Sequence, residues 1–129
     1  MTFKEIVCAF FIGGFGYAAV EILFRGFTHW SMVLTGGIVF CIFYKIYITN
    51  HLSVIKSCII SMVLITFFEL FVGCIVNLQL KMHVWDYSRV IYNVKGQICV
   101  PFSVGWFLMG VPMAFFSKLI KGVIEYLQQ

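Results

Sequence analysis

The sequence predicts an all-α, polytopic membrane protein built as a bundle of four transmembrane helices. Of its 129 residues, 62% are hydrophobic and only 11% are charged, and the mean hydropathy is +1.02. An average soluble domain is about half apolar and about a quarter charged. This composition excludes a disordered chain and argues against a soluble enzyme, because too few polar residues remain to cover the exterior of a globular domain.

Four apolar runs are long enough to cross a bilayer, whose hydrocarbon core of about 30 Å requires about 20 helical residues. The predicted helices cover residues 6–24, 31–48, 57–76 and 98–116, within one domain that takes up residues 1–129. The loops at 26–30 and 49–56 are short. The loop at 77–97 is long and dense in Trp, Asp, Tyr, Ser, Arg and Asn, a composition that favours an ordered, functional segment.

The first predicted helix carries an acidic residue inside its apolar run. Glu21 precedes Arg25 by four residues, and this spacing places both side chains on one face of a helix. Gly14 and Ala18 continue the same stripe, where small side chains allow another helix to approach closely. A carboxylate in hydrocarbon costs a few kcal/mol or more. This face is therefore predicted to point into the bundle.

The third predicted helix carries a second acidic residue. Glu69 lies on a stripe of small and polar residues at helical spacing, together with Thr66, Gly73 and Asn77. No basic residue of its own helix can reach it. Arg25 or Arg89 is one predicted partner, because a guanidinium grips a carboxylate through two hydrogen bonds. The alternative is a protonated Glu69, because burial disfavours the charged form.

The fourth predicted helix combines a polar stripe with two prolines. The stripe consists of Gly96, Cys99, Ser103, Trp106 and Gly110. Pro101 and Pro112 are predicted to interrupt the hydrogen bonds of this helix, because proline has no N–H to donate. The freed carbonyl groups either line a cavity, as such breaks do in membrane proteins, or the prolines only bend the helix.

The long loop begins with aromatic and polar residues that allow two interpretations. In one, Trp85 and Tyr87 are interfacial aromatics and Asp86 caps a short helix at 88–92 that begins with Ser88. In the other, the loop folds back over the helix ends, and its polar side chains close a pocket above the two buried glutamates. The side chains concerned are Asp86, Arg89, Asn93 and Gln97.

The charge pattern and the cysteines exclude several partners. The chain has nine basic and five acidic residues. The basic residues occur singly and form no patch, so no nucleic-acid surface is predicted. The five cysteines lie in apolar runs without a C-x-x-C pair, which favours free thiols over a metal site or disulfides. No cofactor is predicted. The basic residues outside the predicted pocket favour a cytoplasmic location for both termini.

These motifs together resemble a known family. They are Glu69-x-x-x-Gly73-x-x-x-Asn77, Trp85-Asp86-Tyr87-Ser88, Asn93-x-x-Gly96-Gln97-Ile98-Cys99 and Ser103-x-x-Trp106, with Glu21, Arg25-Gly26 and His29-Trp30-Ser31 in the first half. The pattern, over residues 11–116, resembles the bacterial membrane family labelled putative ABC-transporter type IV (CmpB-like). The resemblance implies a permease-like protein of the bacterial cytoplasmic membrane. The chain contains no G-x-x-x-x-G-K-[ST] phosphate-binding loop, so an ATPase would be a separate subunit.

The sequence leaves three functional hypotheses open. The first is a permease-like transport component, in the lipid bilayer and as a homo-oligomer, whose polar pocket binds a cation or a proton. The second is a membrane-surface enzyme with a Glu or Asp base, His29 as proton shuttle and an arginine that holds an anionic lipid headgroup. The third is a non-catalytic assembly or sensing subunit, in which the buried charges only fix helix pairing. The candidate pocket residues are Glu21, Arg25, His29, Trp30, Glu69, Asn77, Trp85, Asp86, Tyr87, Ser88, Arg89, Asn93, Gln97, Ser103 and Trp106.

Overall fold

The fold is a bundle of apolar helices. The computed structural model describes residues 2–26, 29–79, 81, 91–96 and 98–127. Its elements are α1 (Phe3–Arg25), α2 (Trp30–Asn50), α3 (Val54–Gly73), a π-helical segment (Cys74–Gln79), β1 (Asn93–Val94), β2 (Ile98–Cys99), α4 (Val100–Leu108) and α5 (Gly110–Leu127). Four stretches are long and apolar enough to cross a membrane: Phe3–Leu23, Trp30–Asn50, Val54–Asn77 and Pro101–Leu127. The prediction of an integral membrane protein with four transmembrane helices is confirmed.

The first helix begins at Phe3, three residues before its predicted start. The reason is a cap: the Thr2 hydroxyl oxygen accepts a hydrogen bond from the Glu5 backbone N–H at 3.3 Å. Thr2 and Glu5 form the Thr-x-x-Glu pattern of a capping box. At its other end α1 stops at Gly26, whose φ of 80° suits glycine and whose N–H donates to the Ile22 carbonyl oxygen at 2.9 Å.

Glycines bring α1 and α2 into direct backbone contact. A Cβ atom added to Gly36 would lie 2.6 Å from the Tyr17 Cβ and 2.8 Å from the Gly13 carbonyl oxygen. Gly14 and Gly37 are equally close to the facing helix. Because small residues drive close helix packing in membranes, this crossing fixes the position of Tyr17 relative to the rest of the bundle.

The second half of the bundle packs α3 against α4 and α5 in antiparallel fashion. The Ser61 hydroxyl donates to the Trp106 carbonyl oxygen at 2.8 Å and contacts the Met113 sulfur at 3.2 Å. One turn away, Gly110 packs so tightly on α3 that a Cβ atom there would overlap the Cys58 backbone. A buried serine and a glycine therefore set the distance between these helices.

The fourth transmembrane stretch differs from its predicted bounds of 98–116. Ile98 lies in β2, the helix begins at Val100 and it continues to Leu127. Pro101 lies in the first turn of the helix, where a missing N–H breaks no hydrogen bond. The prediction that Pro101 interrupts the helix is therefore wrong. The interruption lies at Met109, where Pro112 has no N–H to donate to the Leu108 carbonyl.

A two-residue antiparallel ladder precedes α4. Asn93 pairs with Cys99 and Val94 with Ile98. Positive φ angles at Lys95 (52°) and Gly96 (71°) help to reverse the chain between the two strands. The predicted loop helix at 88–92 lies mostly outside the described residues.

Candidate functional site

A carboxylate, a tyrosine and a tryptophan from three helices meet inside the bundle. Glu69 of α3 is only 3% exposed, and its Oε1 accepts a hydrogen bond from the Tyr17 hydroxyl of α1 at 3.3 Å. The Tyr17 ring stacks on the Trp106 ring of α4, with centroids 5.5 Å apart and an interplanar angle of 22°. Tyr17 therefore couples the acid of one helix to the aromatic ring of another.

Glu21 lies one helical turn after Tyr17 on α1. It is 4% exposed, and the spacing of four residues places it on the Tyr17 face of the helix. It is four residues from Arg25, the last residue of α1, so its backbone lies about 6 Å from that helix end at 1.5 Å per residue. Glu21 and Glu69 both have further interaction partners within the chain. The two buried acids therefore lie at a similar depth along the bundle and face its interior.

Polar side chains continue this region on both sides of Glu69, with Thr66 one turn before it and Asn77 two turns after it. The Thr66 and Ser103 hydroxyls lie 3.2 Å apart and share a hydrogen bond. Asn77 is buried and has interaction partners of its own. It belongs to the π-helical segment, which begins where the Cys74 N–H bonds to the carbonyls of Leu70 and Phe71. Such π-helical turns occur frequently at functional sites.

Two cavities adjoin these residues. The smaller, about 250 Å³, extends along α1 and α2 and reaches Ile65 of α3 and Met113 of α5. The larger, about 480 Å³, lies between α1 and α4, and its volume is within the range of about 300–1,000 Å³ typical of small-molecule sites. Three residues line both cavities: Val20, Trp106 and Met109. Glu21 is the charged residue in the wall of the larger cavity.

Two predicted site residues lie at the start of α2 instead. The His29 Nδ1 caps this helix by accepting from the Ser31 backbone N–H at 3.2 Å, and it lies 2.7 Å from the Ser31 hydroxyl. Trp30 is 64% exposed, and its ring centroid is 5.3 Å from that of His29. Neither residue lines either of the two cavities. The structure therefore places this pair at the cap of α2 and not in a cavity wall.

Other predicted site residues fall outside the described part of the chain. These are Trp85, Asp86, Tyr87, Ser88, Arg89 and Gln97. Arg25 and Asn93 are described through their backbones, in α1 and β1 respectively. The contribution of the 85–97 loop to the site stays a prediction.

A third buried acid lies at the opposite end of the bundle and was missed in the sequence. The Tyr44 hydroxyl of α2 donates to Glu5 Oε2 at 2.7 Å, and Glu5 is 3% exposed. Lys121 of α5 is near enough to attract the Glu5 carboxylate. The Thr2-x-x-Glu5 capping pattern would have placed Glu5 inside the first turn of α1. The sequence gives no comparable signal for Tyr44, which lies within an apolar run.

The described residues contain no cluster of three or more His, Cys, Asp or Glu that could hold a metal ion. Four cysteines in this part of the chain are free thiols: Cys8, Cys41, Cys58 and Cys74.

Nearly the whole chain matches the model of a known family. The family model described as "Putative ABC-transporter type IV" (ABC_trans_CmpB) matches residues 6–129. The chain belongs to this family. The match includes both buried acids near α4 and the whole of the long loop, as the sequence motifs predicted. No match was found among curated proteins or among solved structures. Membership of this family and the four apolar helices fit a membrane protein related to transport.

Proposed function

We propose that this member of the family described as "Putative ABC-transporter type IV" is a permease-like transport component with a polar pocket inside the membrane. The pocket combines Glu21, Arg25 and Glu69 with the 85–97 loop. The observation that carries the proposal is the burial of two carboxylates, on α1 and α3, within apolar spans. Ionisable residues at such depth are costly to bury, and in membrane proteins they typically mark substrate or ion pathways.

The geometry around Glu69 suits a cation or a proton. A carboxylate offers about four acceptor positions, and Tyr17 occupies one of them with a long hydrogen bond of 3.3 Å. The carboxylate has acceptor positions beyond the one that Tyr17 uses, and its further partners within the chain and a bound cation or proton would share them. Tyr17 lines the smaller cavity and the stacked Trp106 lines both, so a change at Glu69 would reach the cavity walls through Tyr17.

The proposal extends to the partner subunits of the protein and to its orientation in the membrane. The sequence lacks a phosphate-binding loop, so an ATPase or another membrane subunit would supply energy. Four helices enclose little space alone, and a homo-oligomer would enlarge the pathway. With both termini in the cytoplasm of a bacterial cell, the pocket would open on the extracytoplasmic side of the cytoplasmic membrane.

One observation favours the competing role of an assembly subunit. The Glu5–Tyr44 pair repeats the Tyr-to-Glu hydrogen bond at the other end of the bundle, at the shorter distance of 2.7 Å. Glu5 and Glu69 both lie outside the lining of the two cavities, but the tyrosines differ: Tyr17 lines the smaller cavity and Tyr44 lines neither. Such a pair can fix helix register without binding anything. Glu5 therefore serves as a matched comparison for Glu69 in experiments.

A flux assay tests the proposal. The purified protein is reconstituted into liposomes that contain a pH-sensitive dye, and proton entry is followed under a potassium diffusion potential with and without external Na⁺. We expect Glu69→Gln to abolish flux, whereas Glu125→Gln, at a side chain that is 61% exposed, retains it. Equal flux through wild type and Glu69→Gln would remove this acid from the pathway.

A further inference from the structure

The larger cavity is a groove that opens sideways toward the lipid. Its outer rim is formed by exposed residues of α4, namely Pro101, Gly105 and Leu108. A Cβ atom added at Gly105 would meet nothing within 4 Å, so free space extends along this side of α4. At its back lie the buried residues Glu21 and Trp106. The groove therefore connects the membrane to an intramembrane carboxylate.

The composition of the wall favours a particular kind of molecule. Apart from Glu21 the lining side chains are apolar or aromatic. Phe102 and Trp106 lie side by side, with ring centroids 6.4 Å apart. A carboxylate next to aromatic rings is the combination that binds ammonium groups, through charge attraction and cation–π contacts. The remaining apolar wall suits a hydrocarbon chain.

We infer that the groove between α1 and α4 binds an amphiphilic ammonium compound that enters from the bilayer. The ammonium group lies at Glu21 beside Trp106, and the alkyl chain follows α4 toward Met109. This inference rests on the proposed transport function, for which it names the chemical class of the substrate. The negative charge of Glu21 attracts an ammonium group with or without N–H donors, and its acceptor positions stay available to its partner within the chain.

The position of the groove in the membrane agrees with this orientation. Glu21 lies about 6 Å from the end of α1, which is close to the level where the cationic groups of amphiphiles reside. From Pro101 to Met109 the groove follows eight residues of helix, about 12 Å at 1.5 Å per residue. A chain of this length would point from the membrane surface toward the bilayer centre. A fatty acid would instead bring a second negative charge to Glu21, and an uncharged alcohol would gain no charge attraction from it.

Native mass spectrometry with a defined probe tests the inference. The protein, purified in a maltoside detergent, is titrated with dodecyltrimethylammonium, and dodecanol and dodecanoate serve as neutral and anionic probes of equal chain length. We expect one dodecyltrimethylammonium to bind per chain, at least tenfold more tightly than either other probe. Glu21→Gln should weaken its binding at least tenfold, whereas the exposed-acid control Glu125→Gln should not change it.

A second pair of variants keeps the test decisive even where Glu21→Gln unfolds. Gly105→Leu fills the groove while the acid itself is kept, and Gly122→Leu adds the same side chain at another open position, on α5. Gly105→Leu should abolish binding of the probe and Gly122→Leu should not. Equal binding of the three probes, or unchanged binding in Gly105→Leu, would overturn the inference. A Glu69-dependent ion flux without probe binding would reject only the ammonium substrate, whereas probe binding without flux would reject the proton or ion pathway.

Discussion

Replacing Gly13 by alanine tests whether the α1–α2 crossing holds Tyr17 in place. The added Cβ would overlap the Phe40 side chain and lie 2.5 Å from the Gly36 carbonyl oxygen. Part of this obstacle is backbone, so the helices must move apart. Overpacking of this kind costs about 1–3 kcal/mol, and alanine regains up to about 1 kcal/mol of helix propensity. We expect Gly13→Ala to lower the free energy of unfolding by about 1–2 kcal/mol.

Gly16→Ala is the matched control on the same helix. A Cβ atom at Gly16 meets nothing within 4 Å, so only the propensity gain of up to about 1 kcal/mol applies. The propensity gain is common to both variants, so their difference in thermal unfolding, measured in one detergent, should equal the overpacking cost of about 1–3 kcal/mol. If Gly13→Ala unfolds at or above the wild-type temperature, or if both variants lose the same stability, the glycine contact does not position α1 on α2.

Three further substitutions separate structural bonds from the proposed site. Tyr17→Phe removes the hydrogen bond to Glu69 but keeps the stacked ring. Ion flux should therefore fall, while the free energy of unfolding drops by only about 0.6 kcal/mol, the average for such bonds in a membrane. Unchanged flux would exclude the hydroxyl from the pathway. Tyr44→Phe removes the hydroxyl that donates to the buried Glu5 carboxylate. The free energy of unfolding should therefore fall by about 1–3 kcal/mol, without a change in flux. Ser61→Ala should cost about 0.5–1.5 kcal/mol, and a variant as stable as wild type would show that its bond to the α4 backbone does not hold the helices.

The sequence predicts the transmembrane helices well but not their ends. Apolar runs report the length of a span, whereas the end of α5 depends on which face each residue occupies. Lys118 lies on the exposed face beyond Phe116, while Ser117, Ile120 and Ile124 are buried, so the helix continues to Leu127. The run of apolar residues ends earlier than the helix, and this produced the short predicted boundary.

The candidate site was only partly predictable for a different reason. Helical spacing placed Glu21 and Glu69 on stripes that the structure buries, because an acid in an apolar helix must turn inward. Periodicity within one helix contains no information about partners on another. The bonds from Tyr17 to Glu69 and from Tyr44 to Glu5 join residues 52 and 39 positions apart, and only the packing of the bundle reveals them.

The central claim is that the acids near α4 bind a ligand, whereas Glu5 holds helices together. Native mass spectrometry of gently purified wild type, Glu69→Gln and Glu5→Gln tests it most directly, since one spectrum gives both bound small molecules and oligomeric state. We predict a defined bound species in wild type and Glu5→Gln that is absent from Glu69→Gln, with the same oligomer in wild type and Glu69→Gln. Loss of the oligomer in Glu69→Gln, with no bound species in any of the three proteins, would contradict the claim and assign Glu69 to assembly.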